Sequence, residues 1–197
     1  MMQDKQVLGI CGGIGSGKSI LCRLVEHYGI PVFDTDSCAK NVYFDPVVSA
    51  QLERVLGRSI FDEKGDIDKP FLSSVIFGSS PLKKEVEQIV HSAVEDRFFS
   101  WKSQHLCKWV GIESGILFTS GMNRLCDKII LVDAPPKERA ERVVRRNNIP
   151  LEEVEKRIRT QLAELETAKL QASYTIKNYA PYSVVEQWEE IFNTIII

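Results

Sequence analysis

The chain has 197 residues, 44% of them hydrophobic and 26% charged, which is enough for one substantial core and ordinary for a globular protein in water. Its formal net charge of −2 gives no basic excess for nucleic acid, and no apolar run approaches the length that spans a bilayer. The five scattered cysteines (Cys11, Cys22, Cys38, Cys107 and Cys126) form no C-x-x-C pair, so reduced thiols in a cytoplasmic protein are expected rather than a disulfide framework or a zinc site.

Met1 to Lys5 lack the apolar stretch of a secretory leader and run into Gln6 to Cys11, a short buried strand. A glycine-rich loop follows. Ile20, Leu21, Leu24, Val25 and Tyr28 then recur at helical spacing, with Gly29 suited to end the helix in a left-handed conformation. Ile30 to Phe33 reads as a second strand, stopped by Asp34-Thr35-Asp36. Strand, loop, helix and strand open a doubly wound parallel sheet of the α/β class. From Ser37 to about Lys108 the rhythm is mainly helical, with one turn at Asp62 to Asp66, and Leu82, Val86, Ile89, Val90, Ala93 and Val94 keep a helix period. The strand rhythm returns at Trp109 to Ile112 and at Lys128 to Asp133. Pro135-Pro136 precedes a helix over Lys137 to Arg146, and Asn147-Asn148 makes a turn. Pro150 opens one further helix, with Glu152 and Glu153 near its positive end and a narrow stripe of Val154, Ile158, Leu162 and Leu165. Tyr174 to Asn178 is a last strand, and a helix around Ser183 to Ile191 closes the fold, with Ile195 to Ile197 as the end of a packed element.

Gly12-Gly13-Ile14-Gly15-Ser16-Gly17-Lys18-Ser19 fits G-x-x-x-x-G-K-[ST] in full. Backbone N–H groups must converge on phosphate oxygens there, and glycine allows that wrap without side chains in the way. The following helix turns its positive end toward the anion. Lys18 reaches the outer phosphates and the Ser19 hydroxyl suits Mg²⁺. A plain glycine-rich hairpin is the alternative, but the setting between a strand and a helix favours a nucleoside triphosphate site.

A guanine-reading N-K-x-D is absent, which argues against a GTPase switch. Asp34 and Asp36 follow the second strand, whose carboxyl end should face the same crevice. In extended chain, residues two apart point the same way, roughly 7 Å apart. One carboxylate could take the proton of a substrate hydroxyl while the other orients it, as phosphoryl transfer to an alcohol requires. The structural alternative is a helix N-cap at Asp36.

Here the chain resembles the dephospho-coenzyme A kinase family. Cys11 to Ser19 is similar to the family's T-G-G-I-G-S-G-K-S. Gly29 to Asp36 is similar to its G-[hydrophobic]-x-V-[hydrophobic]-D-A-D, followed by Ala39-Lys40. Gly65 to Lys69 with Leu72 and Phe77, Val90-His91, the arginines Arg142 and Arg146, and Ile158 to Gln161 follow in the family's order. The resemblance implies a single P-loop kinase domain: a core over about 1–36, 109–136 and 170–197, a helical substrate lobe over about 37–108, and a lid over about 137–169. It implies phosphorylation of the ribose 3′-hydroxyl of dephospho-coenzyme A by ATP with Mg²⁺. Gly13, Ile14, Gly15, Ser16, Gly17, Lys18 and Ser19 would hold the nucleotide, with Ser19 on the metal. Lys18 and Asp36 would carry catalysis, with Asp36 the general base. Asp34, Asp36 and His91 would meet the acceptor, and Arg142 and Arg146 the phosphates. Ser92, Gly115 and Thr119 depart from the pattern, standing where the family shows two prolines and a glutamate.

Most basic residues of the 139–159 stretch alternate with glutamates and read as a salt-bridged surface. Phe98, Phe99, Trp101 and Trp109 read as core rather than an adenine stack. The implied partner is a small-molecule substrate, with no nucleic acid and no membrane, and no feature sets an oligomeric state. Two other readings share the loop. One is a kinase for a nucleoside, a nucleotide or another small metabolite; the other is a nucleotide-gated regulatory ATPase.

Overall fold

The computed structural model describes residues 5–78 and 80–195, without the side chains of Ile76, Phe77 and Ser80. Met1 to Asp4, Ile196 and Ile197 lie outside the described residues, as does the side chain of Phe77. The chain divides into two compact units, residues 1–34 with 105–197, and residues 35–104.

The first unit is built on five parallel strands. They are β1 (Gln6–Cys11), β2 (Val32–Asp34), β3 (Trp109–Ser114), β4 (Lys128–Asp133) and β5 (Tyr174–Lys177), in the spatial order β2-β3-β1-β4-β5. Strands covered on both faces read as continuous apolar runs, and Val7, Leu8, Ile10, Ile129, Ile130, Leu131 and Val132 are all buried. Two glycines allow close packing, one against the segment before β4 and one within the sheet: a β-carbon on Gly9 would press on Cys126 Sγ at 2.9 Å, and one on Gly111 on Val32 Cγ2 at 2.9 Å. Helix α1 (Lys18–His27) joins β1 to β2 and buries Leu21 and Val25 against Leu8, Ile10 and Trp188. Gly29, at φ 82°, turns the chain out of α1.

The second unit holds α2 (Thr35–Val42), α3 (Pro46–Leu56), α4 (Lys69–Gly78) and α5 (Ser80–Gln104). Val48 and Leu52 of α3, Leu72 of α4, Val86 of α5 and Ile60 form its core. Asp45 caps α3 by accepting from Val47 N–H at 3.0 Å, Pro46 fills the first helical position, and Gly57 closes the helix at φ 73°. Asp45 also pairs with Arg97 of α5; the Val47 N–H first, and Arg97 second, hold its carboxyl below the ordinary range. The turn at Asp62 to Asp66 is present, closed by a bridge between Phe61 and Ile67.

Beyond β4 come α6 (Pro136–Asn147), α7 (Leu151–Thr160), α8 (Leu162–Gln171) and, after β5, α9 (Val184–Ile195). Asn148, at φ 51°, terminates α6. The single helix expected from Pro150 onward is two. The chain leaves helical geometry at Gln161, with φ −97° and ψ 4°. The break carries Val154 and Ile158 to the cluster of Ala140 and Val143, while Leu165 and Ala168 are buried on the next helix. A second difference lies at the tip of β2. The extended D-T-D geometry does not form, because α2 begins at Thr35, so Asp34 ends a strand and Asp36 sits in the first turn of a helix. Phe98 and Trp109 are buried as expected, but Phe99 is 46% exposed.

Candidate active site

The glycine loop runs from the end of β1 to the start of α1. Gly12, Gly15 and Gly17 have φ 150°, 78° and 97°, and Gly17 supplies the left-handed N-cap of α1. At four positions a β-carbon would collide with a neighbour as the structure stands. At Gly12 it would strike Val132 O, at Gly13 the Arg139 guanidinium, at Gly15 the carbonyl of Arg139 and at Gly17 the amide of Asn178. The outer wall of the loop is thus packed by β4, α6 and the tip of β5, which fixes its curvature.

Side chains distant in sequence hold that wall. Arg139 Nε donates to Ile14 O at 2.9 Å, and Ile14 N–H donates to Gln161 Oε1 at 2.7 Å. Asn178 Nδ2 donates to Ser16 O at 2.7 Å. Arg142 donates to Asn178 O at 2.7 Å, Glu138 Oε2 at 2.9 Å and Gly15 O at 3.4 Å. The Ile14 side chain packs against Ala140, Val143, Val154 and Ile158.

On the other side, Lys18 Nζ donates to Gly12 O at 2.9 Å and lies 3.6 Å from Glu113 Oε1. Glu113 is level with Asp34 across β2 and β3 and with Ile10 across β1, so two carboxylates stand at the carboxyl ends of neighbouring strands. Ser16 is 1% exposed, and its Oγ has no hydrogen-bond partner. Ser19 is exposed in the first turn of α1. Glycine backbone, a helix start, an ammonium and an unpartnered hydroxyl make a cradle for phosphate oxygens.

The dephospho-CoA kinase family model matches residues 6–182. A dephospho-CoA kinase of Porphyromonas gingivalis is 40% identical over 189 residues, 95% of this chain and 93% of that protein. One of Bacteroides fragilis is 37% identical over 186 residues, 93% and 90% of the two chains. The chain belongs to the dephospho-CoA kinase family. It is an enzyme of the kinase class, for which ATP is the phosphoryl donor. A Thermus thermophilus crystal structure superposes with a TM-score of 0.86 at 28% identity, covering 99% of this chain and 100% of that one. A Campylobacter jejuni dephospho-CoA kinase (TM-score 0.65, 20% identity, 98% of each chain) and an Acinetobacter baumannii shikimate kinase solved with shikimate (0.51, 19%, 99% of this chain and 95% of that one) share the fold.

Within this member of the dephospho-CoA kinase family, Gly13 to Ser19 form one continuous segment that leads from β1 into α1. Arg142 reaches the outer side of that segment, whereas Arg146 is exposed and donates to Asn147 Oδ1 at 2.9 Å. Asp34 and Asp36 are exposed at the β2–α2 junction. His91 is half-buried in α5; burial lowers its pKa, partly countered by Glu87. Thr119, where the resemblance calls for a glutamate, meets a carboxylate from elsewhere. Glu164 of α8 accepts from Phe118 N–H at 2.8 Å, Thr119 N–H at 2.8 Å and Thr119 Oγ1 at 2.6 Å. Glu164, Glu113 and the wall residues Arg139 and Asn178 carry no local sequence signal of a role. Gln161 was visible only as part of the I-x-x-Q resemblance.

Proposed function

We propose that this enzyme transfers the terminal phosphoryl group of ATP to the ribose 3′-hydroxyl of dephospho-coenzyme A. The phosphate cradle supports the donor half of the reading; the family match over nearly the whole chain supports the acceptor half.

The backbone N–H groups of Gly15 to Ser19 and the start of α1 hold the triphosphate, and Lys18 leaves Glu113 to follow the outer phosphates. Asp36 accepts the proton of the 3′-hydroxyl as its oxygen bonds to the γ-phosphorus. The bond from that phosphorus to the β–γ bridging oxygen breaks, and ADP departs with the electron pair. Asp34 orients the hydroxyl, His91 belongs to the acceptor lobe, and Arg142 and Arg146 meet charge on the phosphates. Among the described residues no cluster of three or more His, Cys, Asp or Glu side chains could hold a metal alone, and the exposed Ser19 hydroxyl is a hard oxygen donor of the kind Mg²⁺ takes when phosphates complete its shell. When bound, Mg²⁺ would neutralise charge shared between the outer phosphates. In this reading α6 to α8 form the lid that excludes water, the competing acceptor.

The test is a panel of acceptors with ATP: dephospho-coenzyme A, nucleoside monophosphates, nucleosides and shikimate, with phosphorus NMR to locate the new ester. Faster transfer to any other acceptor, or a product phosphorylated away from the 3′ position, overturns the proposal. Hydrolysis indifferent to every acceptor would favour the regulatory ATPase.

A further inference from the structure

Among the described residues Lys18, Arg139 and Arg142 each donate to the glycine loop, and the first and last have visible counter-charges. Lys18 has Glu113 at 3.6 Å, and Arg142 has Glu138 at 2.9 Å. Arg139 differs. It is only 3% exposed, its Nε is spent on Ile14 O, one terminal nitrogen has no hydrogen-bond partner, and no ion pair is found for it among the described residues. Its guanidinium lies where a β-carbon of Gly13 would be. The carboxylate that favours its charge is Asp133, at the end of β4; burial opposes that charge more strongly. Arginine nevertheless stays protonated in proteins. A buried, incompletely paired cation is costly to the empty fold, and an unsatisfied buried donor in a native structure calls for a reason.

The reason lies on the opposite face of the same backbone. We propose that Arg139 is a positioning residue for the nucleotide: from behind the loop it pins the Ile14 carbonyl and supplies a standing positive charge whose counter-ion is the bound triphosphate. The inference rests on the reading of the loop as the ATP site. With water excluded, the charge acts across the Gly13 backbone under weak screening, so its effect grows with the number of phosphate charges. Gln161 completes the arrangement by accepting the Ile14 N–H, so both backbone polar groups of that residue are held by side chains that follow β4, one from α6 and one from the break between α7 and α8.

The experiment measures ATP, ADP and AMP binding by titration calorimetry, and the melting temperature of the empty protein, for wild type, Arg139→Gln and Arg139→Lys. Arg139→Gln should weaken ATP binding about tenfold or more, ADP less and AMP least, which is at least 1.4 kcal/mol for ATP. The same variant, empty, should melt no lower than wild type, because an uncompensated charge has left the interior. Arg139→Lys should keep ATP affinity within about threefold of wild type, on the charge argument alone. A merely structural role gives another pattern: a lower melting temperature and equal losses for all three nucleotides. Either of those results, ATP binding by Arg139→Gln within twofold of wild type, or an Arg139→Gln protein that does not fold, overturns the inference. If wild type itself binds no ATP, the reading of the loop falls first and takes this one with it.

Discussion

Gly15 and Gly13 sit two residues apart and should fail in different ways. At Gly15 the backbone is left-handed and a β-carbon would meet the carbonyl of Arg139, a backbone atom that cannot step aside. Gly15→Ala should cost about 1–2 kcal/mol from conformation alone, with the clash added. At Gly13 φ is not left-handed and only the Arg139 side chain stands in the way. Gly13→Ala should therefore keep its thermal stability while losing ATP affinity; calorimetry and a melting curve on the pair would check this. Asp36→Asn should preserve ATP binding and lower turnover by roughly 10²–10⁴-fold, the usual reach of a proton acceptor. Turnover near wild type would remove Asp36 from the mechanism. Cys11 allows a pH test. Burial first, and Glu164 second, push its thiol up to about 12 from an ordinary 9.0. The unfolded chain ionises this group from pH 9 upward and the folded chain only near 12, so the stability it contributes is complete below 9 and lost across that interval. Unfolding free energies from urea titrations at pH 8, 10 and 11 should fall more steeply for wild type than for Cys11→Ala, by up to about 1.4 kcal/mol per pH unit. Parallel curves would show that the thiol is not the group that titrates.

At the scale of elements, α8 is fastened to the segment after β3 by one carboxylate. Glu164→Ala strands two N–H donors, those of Phe118 and Thr119, at about 1–3 kcal/mol each where water cannot replace the partner. A melting temperature within one degree of wild type would show that water takes over. What was legible in the sequence follows from range. The β1–loop–α1 unit is local: its apolar run, glycines and helical spacing lie within about twenty residues, and its form could be read directly. The wall of the loop is not local. Ile14 takes Gln161 from 147 residues away and Arg139 from 125, and Ser16 takes Asn178 from 162. Periodicity also merged α7 with α8, because their apolar residues keep one rhythm across Gln161 while the backbone does not. The D-T-D triplet was misjudged for a related reason: alternation assumes a strand, and Thr35 already belongs to a helix.

Across the whole molecule, the strand order places β1 between β3 and β4, so the phosphate loop rises from the middle of the sheet. A ligand held there braces both flanks, and saturating ATP at 100 times its dissociation constant should add about 2.7 kcal/mol of stability. For a chain of this size that is a rise of roughly 5–11 °C in melting temperature. Lys18→Ala should abolish the rise while leaving the empty protein's transition nearly in place; a full shift in that variant would mean ATP is held elsewhere.

The dependence of the loop on Asn178 also orders events during synthesis. A ribosome that has just extruded the glycines has made a segment with no rear support: β4, Arg139, Gln161 and the amide of residue 178 are still untranslated. The nascent polypeptide should therefore take up no cellular ATP at this loop until Asn178 has emerged. A product truncated before that residue should be left with a slack loop rather than a half-working enzyme.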